Sequence, residues 1–166
     1  MVMFETGIDL SVVVPTYNRA ARLGRLLTCL DRQTTSLGSG KPGFSFEVVV
    51  VSDGSTDGTD AMVESFTGSY ALRLLIQENA GPAAARNAGI TAADGEVVLF
   101  LDDDVMPEPH CLAAHMARHL AEPASVVVGP MLTPTDVELQ PWVRWEQFQL
   151  EKQYARLDNG EVLHPR

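Results

Sequence analysis

Residues 97–104 read VVLFLDDD. Five apolar residues in succession, without the polar alternation of a half-solvated strand, are the pattern of a strand buried on both faces. Such strands belong to parallel sheets with helices on either side. The run ends in three adjacent carboxylates, Asp102, Asp103 and Asp104. Like charges at the edge of a core repel one another, and desolvation raises the cost. A divalent cation would remove both penalties: carboxylate oxygens suit Mg²⁺ or Mn²⁺, which share their coordination shell with substrate phosphates. The plainer reading of the same residues is a solvated acidic turn capping the following helix.

Working outward, residues 10–14 (LSVVV), 46–51 (FEVVVV), 72–76 (LRLLI) and 125–128 (SVVV) also read as strands. Helical patterns lie between them. Leu23, Leu26, Leu27 and Leu30 fall at i, i+3, i+4, i+7, with Asn18 as the expected N-cap. Met62, Val63 and Phe66 mark a second helix, Pro82 opens a third that runs to about Ala92, and Leu112, Met116 and Leu120 mark a fourth. This alternation predicts an α/β fold with a mostly parallel sheet flanked by helices. The loop 38–44 (GSGKPGF) lacks the Gly-Lys-Ser/Thr spacing of a phosphate cradle and reads as a surface connection. Residues 139–157 carry Trp142, Trp145, Phe148 and Leu157 at helix-compatible spacing. They form either a core or lid helix over the sheet, or an exposed aromatic surface that promotes self-association. The division expected is an α/β domain over 1–135 and an aromatic helical tail over 136–166.

Bulk properties narrow the classes. A chain of 166 residues with 45% hydrophobic and 20% charged content supports one domain with a real core. A formal net charge of −10 argues against a nucleic-acid surface. No apolar run approaches the roughly 20 residues of a membrane span. The opening MVMFETGIDL lacks the basic start of a signal peptide, so the expected location is the cytoplasm, including the inner face of the membrane. Cys29 and Cys111 read as reduced, buried thiols. His110, His115 and His119 lack the Glu of a zinc protease motif and a third ligand, and read as packed or surface histidines.

In an open parallel sheet, ligands bind beyond the carboxyl ends of the strands. Three segments fall there: Pro15-Thr16-Tyr17-Asn18-Arg19, Ser52-Asp53-Gly54-Ser55 and the three aspartates. Tyr17 offers a flat face for stacking a base, or is a half-buried aromatic at a strand end. Asp53 can accept a hydrogen bond from a base imide, or is a turn residue and no more. In residues 81–89 (GPAAARNAG), small side chains permit close approach and Arg86 is the sole charge. Its forked donors suit a diphosphate, or a salt bridge to one of the aspartates.

Four segments, VVVPTYNR, VVVSDGSTDGT, ENAGPAAARNAGI and ADGEVVLFLDDD, occur in that order between Val12 and Asp104. As a set they resemble the family 2 glycosyltransferases, whose Rossmann-like nucleotide-diphospho-sugar fold is called GT-A. The resemblance implies transfer of a sugar from a nucleotide-diphosphate donor, a UDP-sugar favoured, to an acceptor hydroxyl on a glycan such as an envelope polysaccharide, a lipid or a small molecule. It implies dependence on Mn²⁺ or Mg²⁺ and inversion at the anomeric centre. Pro15, Thr16 and Tyr17 would line the base and ribose pocket, Asp53 would hold the base, and Arg86 would sit near the phosphates. Asp102-Asp103-Asp104 would be the family's DXD element. Asp104 would be the direct metal ligand, Asp102 the other metal-facing carboxylate, and Asp103 would point toward ribose or metal.

The family's general base and acceptor-binding segments follow the aromatic helix. Asp136, Glu138, Glu146, Glu151, Asp158 and Glu161 match no such motif. The expectation is a C-terminally truncated piece that holds the donor site without the base. The alternative is a non-catalytic nucleotide-sugar-binding fragment. An aspartyl-phosphate phosphatase fits badly, because Met106 stands where its motif has Thr or Val.

Overall fold

β1 (Leu10–Thr16) is buried along its whole length. So is nearly all of β2 (Phe46–Asp53), its parallel neighbour. A computed structural model describes residues 7–38, 42–133 and 140–158. The expectations placed on the first residues, the middle of the 38–44 loop, Asp136, Glu138, Leu139, Glu161 and the Leu157 and Asp158 side chains lie outside the described residues. The described parts of Met1–Ser125 and of Val126–Arg166 form two compact units.

The first unit is a four-stranded, all-parallel sheet in the order β3-β2-β1-β4, with β3 spanning Ala71–Gln77 and β4 Val97–Phe100. Alternate residues of the central strands face two cores. Val12, Val14, Val48 and Val50 pack with Leu23, Leu26, Leu27 and Leu30 of α1 (Ala20–Leu30), Val63 of α2 (Thr59–Ser65), and Leu112 and Met116 of α4 (Cys111–Ala121). Val13, Val49 and Val51 face Ala85 of α3 (Pro82–Ala92) on the other side. Right-handed crossovers explain the split. The chain steps one way from β1 to β3 and then reverses to reach β4, which puts α3 on the opposite face from α1 and α2.

Four sequence expectations need correction. Residues 125–128 form no strand. Val126 and Val128 are 93% and 85% exposed, and among the described residues no strand offers them a ladder. β4 is consequently an edge strand, half-buried rather than covered on both faces, with Phe100 41% exposed. The N-cap of α1 is Arg19, not Asn18, which adopts a left-handed φ of 52°. The caps come from the turn between β2 and α2 and from the first residue of α2: Ala20 N–H donates to Asp57 Oδ2 at 3.2 Å and Arg19 N–H to Thr59 Oγ1 at 3.3 Å. Cys29 and Cys111 are free but half-buried rather than buried.

In the second unit, α5 (Pro141–Asp158) leaves Trp142, Trp145 and Phe148 exposed. No helix among the described residues is long and apolar enough to cross a membrane.

Candidate functional site

The strand order reverses at β1, so a crevice opens beyond the carboxyl ends of β1 and β4, the usual ligand position in open α/β sheets. A cleft of about 540 Å³ occupies it. All eight residues singled out from the sequence line this cleft: Pro15, Thr16, Tyr17, Asp53, Arg86, Asp102, Asp103 and Asp104.

The loop after β1 is stitched to the loop after β2. Asn18 N–H donates to Ser55 Oγ at 3.1 Å, and Asn18 Oδ1 accepts from Thr56 N–H at 2.7 Å. The left-handed turn at Asn18 is held by these bonds, and Tyr17 stands half-exposed at the rim. Asp53, only 4% exposed, organises the opposite wall. Its Oδ1 accepts from Gln77 Nε2 at 2.7 Å and Ala80 N–H at 2.9 Å, and its Oδ2 from Gly81 N–H at 2.8 Å. The Ala80 N–H holds the carboxyl below the usual carboxylate range; Gln77 and Gly81 add to this against the opposing effect of burial. Gly81 reaches φ 90°, a left-handed value that favours glycine, and hands the chain to Pro82 in the first turn of α3.

The three aspartates have three different settings. Asp103 is buried, and the Thr16 hydroxyl donates to its Oδ2 at 2.7 Å. Burial pushes its carboxyl above the usual range despite Thr16 and Arg19. Asp104 Oδ2 accepts from Arg19 Nη1 at 2.8 Å and Arg22 Nη1 at 3.2 Å. Asp102 Oδ1 accepts from Arg86 Nη2 at 2.7 Å. Arg86 therefore takes the second of its two expected partners, an aspartate. The charge run at the end of β4 is thus answered within the protein by guanidinium groups.

A hard cation still suits the donor set. The Asp102 and Asp104 side chains are 58% and 44% exposed at the cleft. Asp102 Oδ2 and Asp104 Oδ1 accept no hydrogen bond among the described residues. Mg²⁺ and Mn²⁺ are commonly held by one or two carboxylates plus substrate phosphates. No three His, Cys, Asp or Glu side chains among the described residues are placed to hold a metal unaided. The fit is therefore to a metal whose shell is completed by phosphate oxygens. Of the histidines, His115 is buried in α4, where burial and then neighbouring His119 lower its basicity.

Sequence reasoning gave no role to Arg19, Arg22 or Asn79. The first two could have been found from their i, i+3 spacing immediately beyond a strand end. Asn79 Nδ2 donates to the Asp53 backbone carbonyl at 2.9 Å, a tertiary bond that no local pattern announces.

A family model described as "Glycosyl transferase family 2" matches residues 11–165. The chain is 44% identical over 123 residues to validoxylamine A glucosyltransferase of Streptomyces hygroscopicus subsp. jinggangensis, covering 72% of this chain and 28% of that protein. Staphylococcus aureus TarS in complex with UDP-GlcNAc superposes with a TM-score of 0.61 at 30% identity, over 76% of this chain and 39% of that one. Mannosyltransferase PcManGT from Pyrobaculum calidifontis, in complex with GDP-Man and Mn²⁺, superposes with a TM-score of 0.63 at 31% identity, over 81% and 39%. The chain thus spans well under half the length of these relatives.

Proposed function

This chain belongs to glycosyl transferase family 2, and from that premise we propose that its cleft binds the nucleotide diphosphate of a sugar donor and serves metal-dependent, inverting transfer of the sugar to an acceptor hydroxyl. One observation supports the reading: the residues to which the sequence assigns base, phosphate and metal all line one cleft at the sheet's topological switch point. The solved relatives that bind UDP-GlcNAc or GDP-Man with Mn²⁺ support the ligand class.

Residues 1–135 carry the donor site, and 136–166 are the aromatic helical tail. Pro15, Thr16 and Tyr17 form the wall against base and ribose, with Tyr17 stacking on the base. Asp53 uses part of its acceptor capacity on Ala80, Gly81 and Gln77. A carboxylate has about four lone-pair sites, so one remains for a base imide N–H. Asp102 and Asp104 would hold Mn²⁺ or Mg²⁺ together with the diphosphate. When bound, the metal supplies positive charge against the negative charge that builds on the departing diphosphate. Arg86 turns its guanidinium from Asp102 to the phosphates and contributes to the same stabilisation.

A second reading, donor binding without catalysis, is favoured by one feature. Each carboxylate that lines the cleft has a partner on at least one oxygen, Asp53 backbone amides, Asp103 Thr16, and Asp102 and Asp104 arginines, and each already has a part in the donor site. None of them is a free base toward an acceptor hydroxyl.

Arg86→Ala tests the assignment. Loss of a charge-assisted phosphate contact is expected to weaken UDP or GDP binding in Mn²⁺ about ten- to hundredfold. Unchanged affinity would remove Arg86 from the donor site.

A further inference from the structure

The aspartates of the 102–104 turn meet Arg86, Arg19 and Arg22, so three carboxylates face three guanidiniums and the formal charge there sums to zero. The distribution is uneven. Arg86 takes Asp102 alone, whereas Arg19 and Arg22 converge on a single oxygen, Asp104 Oδ2, at 2.8 and 3.2 Å. Two positive groups at one carboxylate oxygen leave no net attraction for a divalent ion approaching that carboxylate.

We propose that Arg19 and Arg22 act as an internal counter-cation lock on Asp104, which keeps a free divalent metal off the cleft until a diphosphate arrives to draw the lock away. The inference rests on the metal reading given above. Arg19 lines the cleft proposed to receive the diphosphate. Its backbone is fixed by Thr59 Oγ1, which leaves the side chain as the moving part. Arg22 sits one helical turn further along α1, outside the lining of the donor cleft, with its side chain 53% exposed. It holds Asp104 without standing in the donor's path. A diphosphate brings two or more negative charges, and a divalent cation balances them. With Arg19 turned to the phosphates, Asp104 keeps only Arg22 on its Oδ2, and its Oδ1 is open to ligate. Metal and diphosphate binding are then strongly coupled, each raising affinity for the other by one shared factor.

Arg22 separates this lock from ordinary donor contacts. Mn²⁺ binding to the nucleotide-free chain, followed by electron paramagnetic resonance, is the direct readout. Arg22→Gln is expected to bind Mn²⁺ alone about three- to fivefold more tightly than the parent, the scale of one partly exposed ion pair. Arg22→Lys, which keeps the charge, is expected to stay near the parent. The gain in Mn²⁺ affinity on adding UDP or GDP should shrink in Arg22→Gln by the same three- to fivefold. Equal Mn²⁺ affinity in parent and Arg22→Gln, with nucleotide still enhancing both, would overturn the lock and leave the metal reading standing. Absence of Mn²⁺ binding in every chain, with or without either nucleotide, would overturn both.

Discussion

At the scale of single residues, the clearest feature is that neighbouring aspartates are not equivalent. Asp103 is drawn into the sheet edge under Thr16, while Asp102 and Asp104 stay at the cleft surface. Its carboxyl is raised above the usual range chiefly by burial. A carboxylate whose folded-state value lies above its unfolded one of about 3.9 destabilises the fold once ionised, and the penalty grows as pH rises through the raised value. Below about pH 4 the group is neutral in both states and the penalty vanishes. Asp103→Asn keeps an acceptor for Thr16 and removes the charge. Metal-free, it is expected to unfold at higher urea than the parent at pH 7, the difference fading toward pH 4. A lower midpoint at pH 7 would show that the ionised carboxylate is a net stabiliser. Asp53 has the opposite sign. Its depressed value means that its stabilisation is present at neutral pH and is lost as pH falls through the folded value.

Elements explain why these residues arrive where they do. α3 lies against β1 and β2 because its inner face is small: a Cβ on Gly89 would stand 2.3 Å from Val13 Cγ1 and 3.3 Å from Val51 Cγ2. Gly89→Ala must push the helix off the sheet. It is expected to cost about 1–3 kcal/mol by urea denaturation, as overpacked cores do. Because Arg86 rides on the same helix, nucleotide affinity should fall with stability. An unchanged urea midpoint would mean that Val13 can yield. At the other end of the strands sits a purely structural counterpart. Buried Glu47 accepts from the Ser11 hydroxyl at 2.6 Å, Asp94 N–H at 2.8 Å and Arg73 Nη1 at 3.1 Å, which ties β1, β2, β3 and the turn before β4 together. Burial alone would raise its carboxyl, but these donors hold it below the usual range. The four strands and four helices of this unit were legible because each carries its own periodicity or breaker. Ser125–Val128 misled because apolarity describes a strand's face and says nothing of whether a partner edge exists. The N-cap of α1 misled because its donors are satisfied from Asp57 and Thr59, nearly 40 residues away. The cleft lining was legible because strand ends fix position. The arginine pairing was only half so: Arg86 stood out as a lone charge, whereas Arg19 was named only as the last residue of the segment after β1 and Arg22 was given no part.

Taken whole, the first unit divides its labour along the strand direction. Hydrogen-bonded turns and the Glu47 network hold the amino ends of the sheet, and the charged loops at the carboxyl ends form the cleft. The chain's net charge of −10 would repel a nucleotide diphosphate if spread evenly. Arg19 and Arg86 in the cleft lining, with Arg22 beside them on Asp104, offset this locally. This cleft is proposed to receive a metal–nucleotide diphosphate. Calorimetric titration of the chain with UDP, and in parallel with GDP, in Mn²⁺ and then in EDTA tests it most directly. Saturable binding of at least one nucleotide in Mn²⁺, weakening at least tenfold in EDTA, is expected. Heat of equal size and affinity in EDTA would contradict the metal's part in the site, and no binding of either nucleotide under both conditions would contradict the site itself.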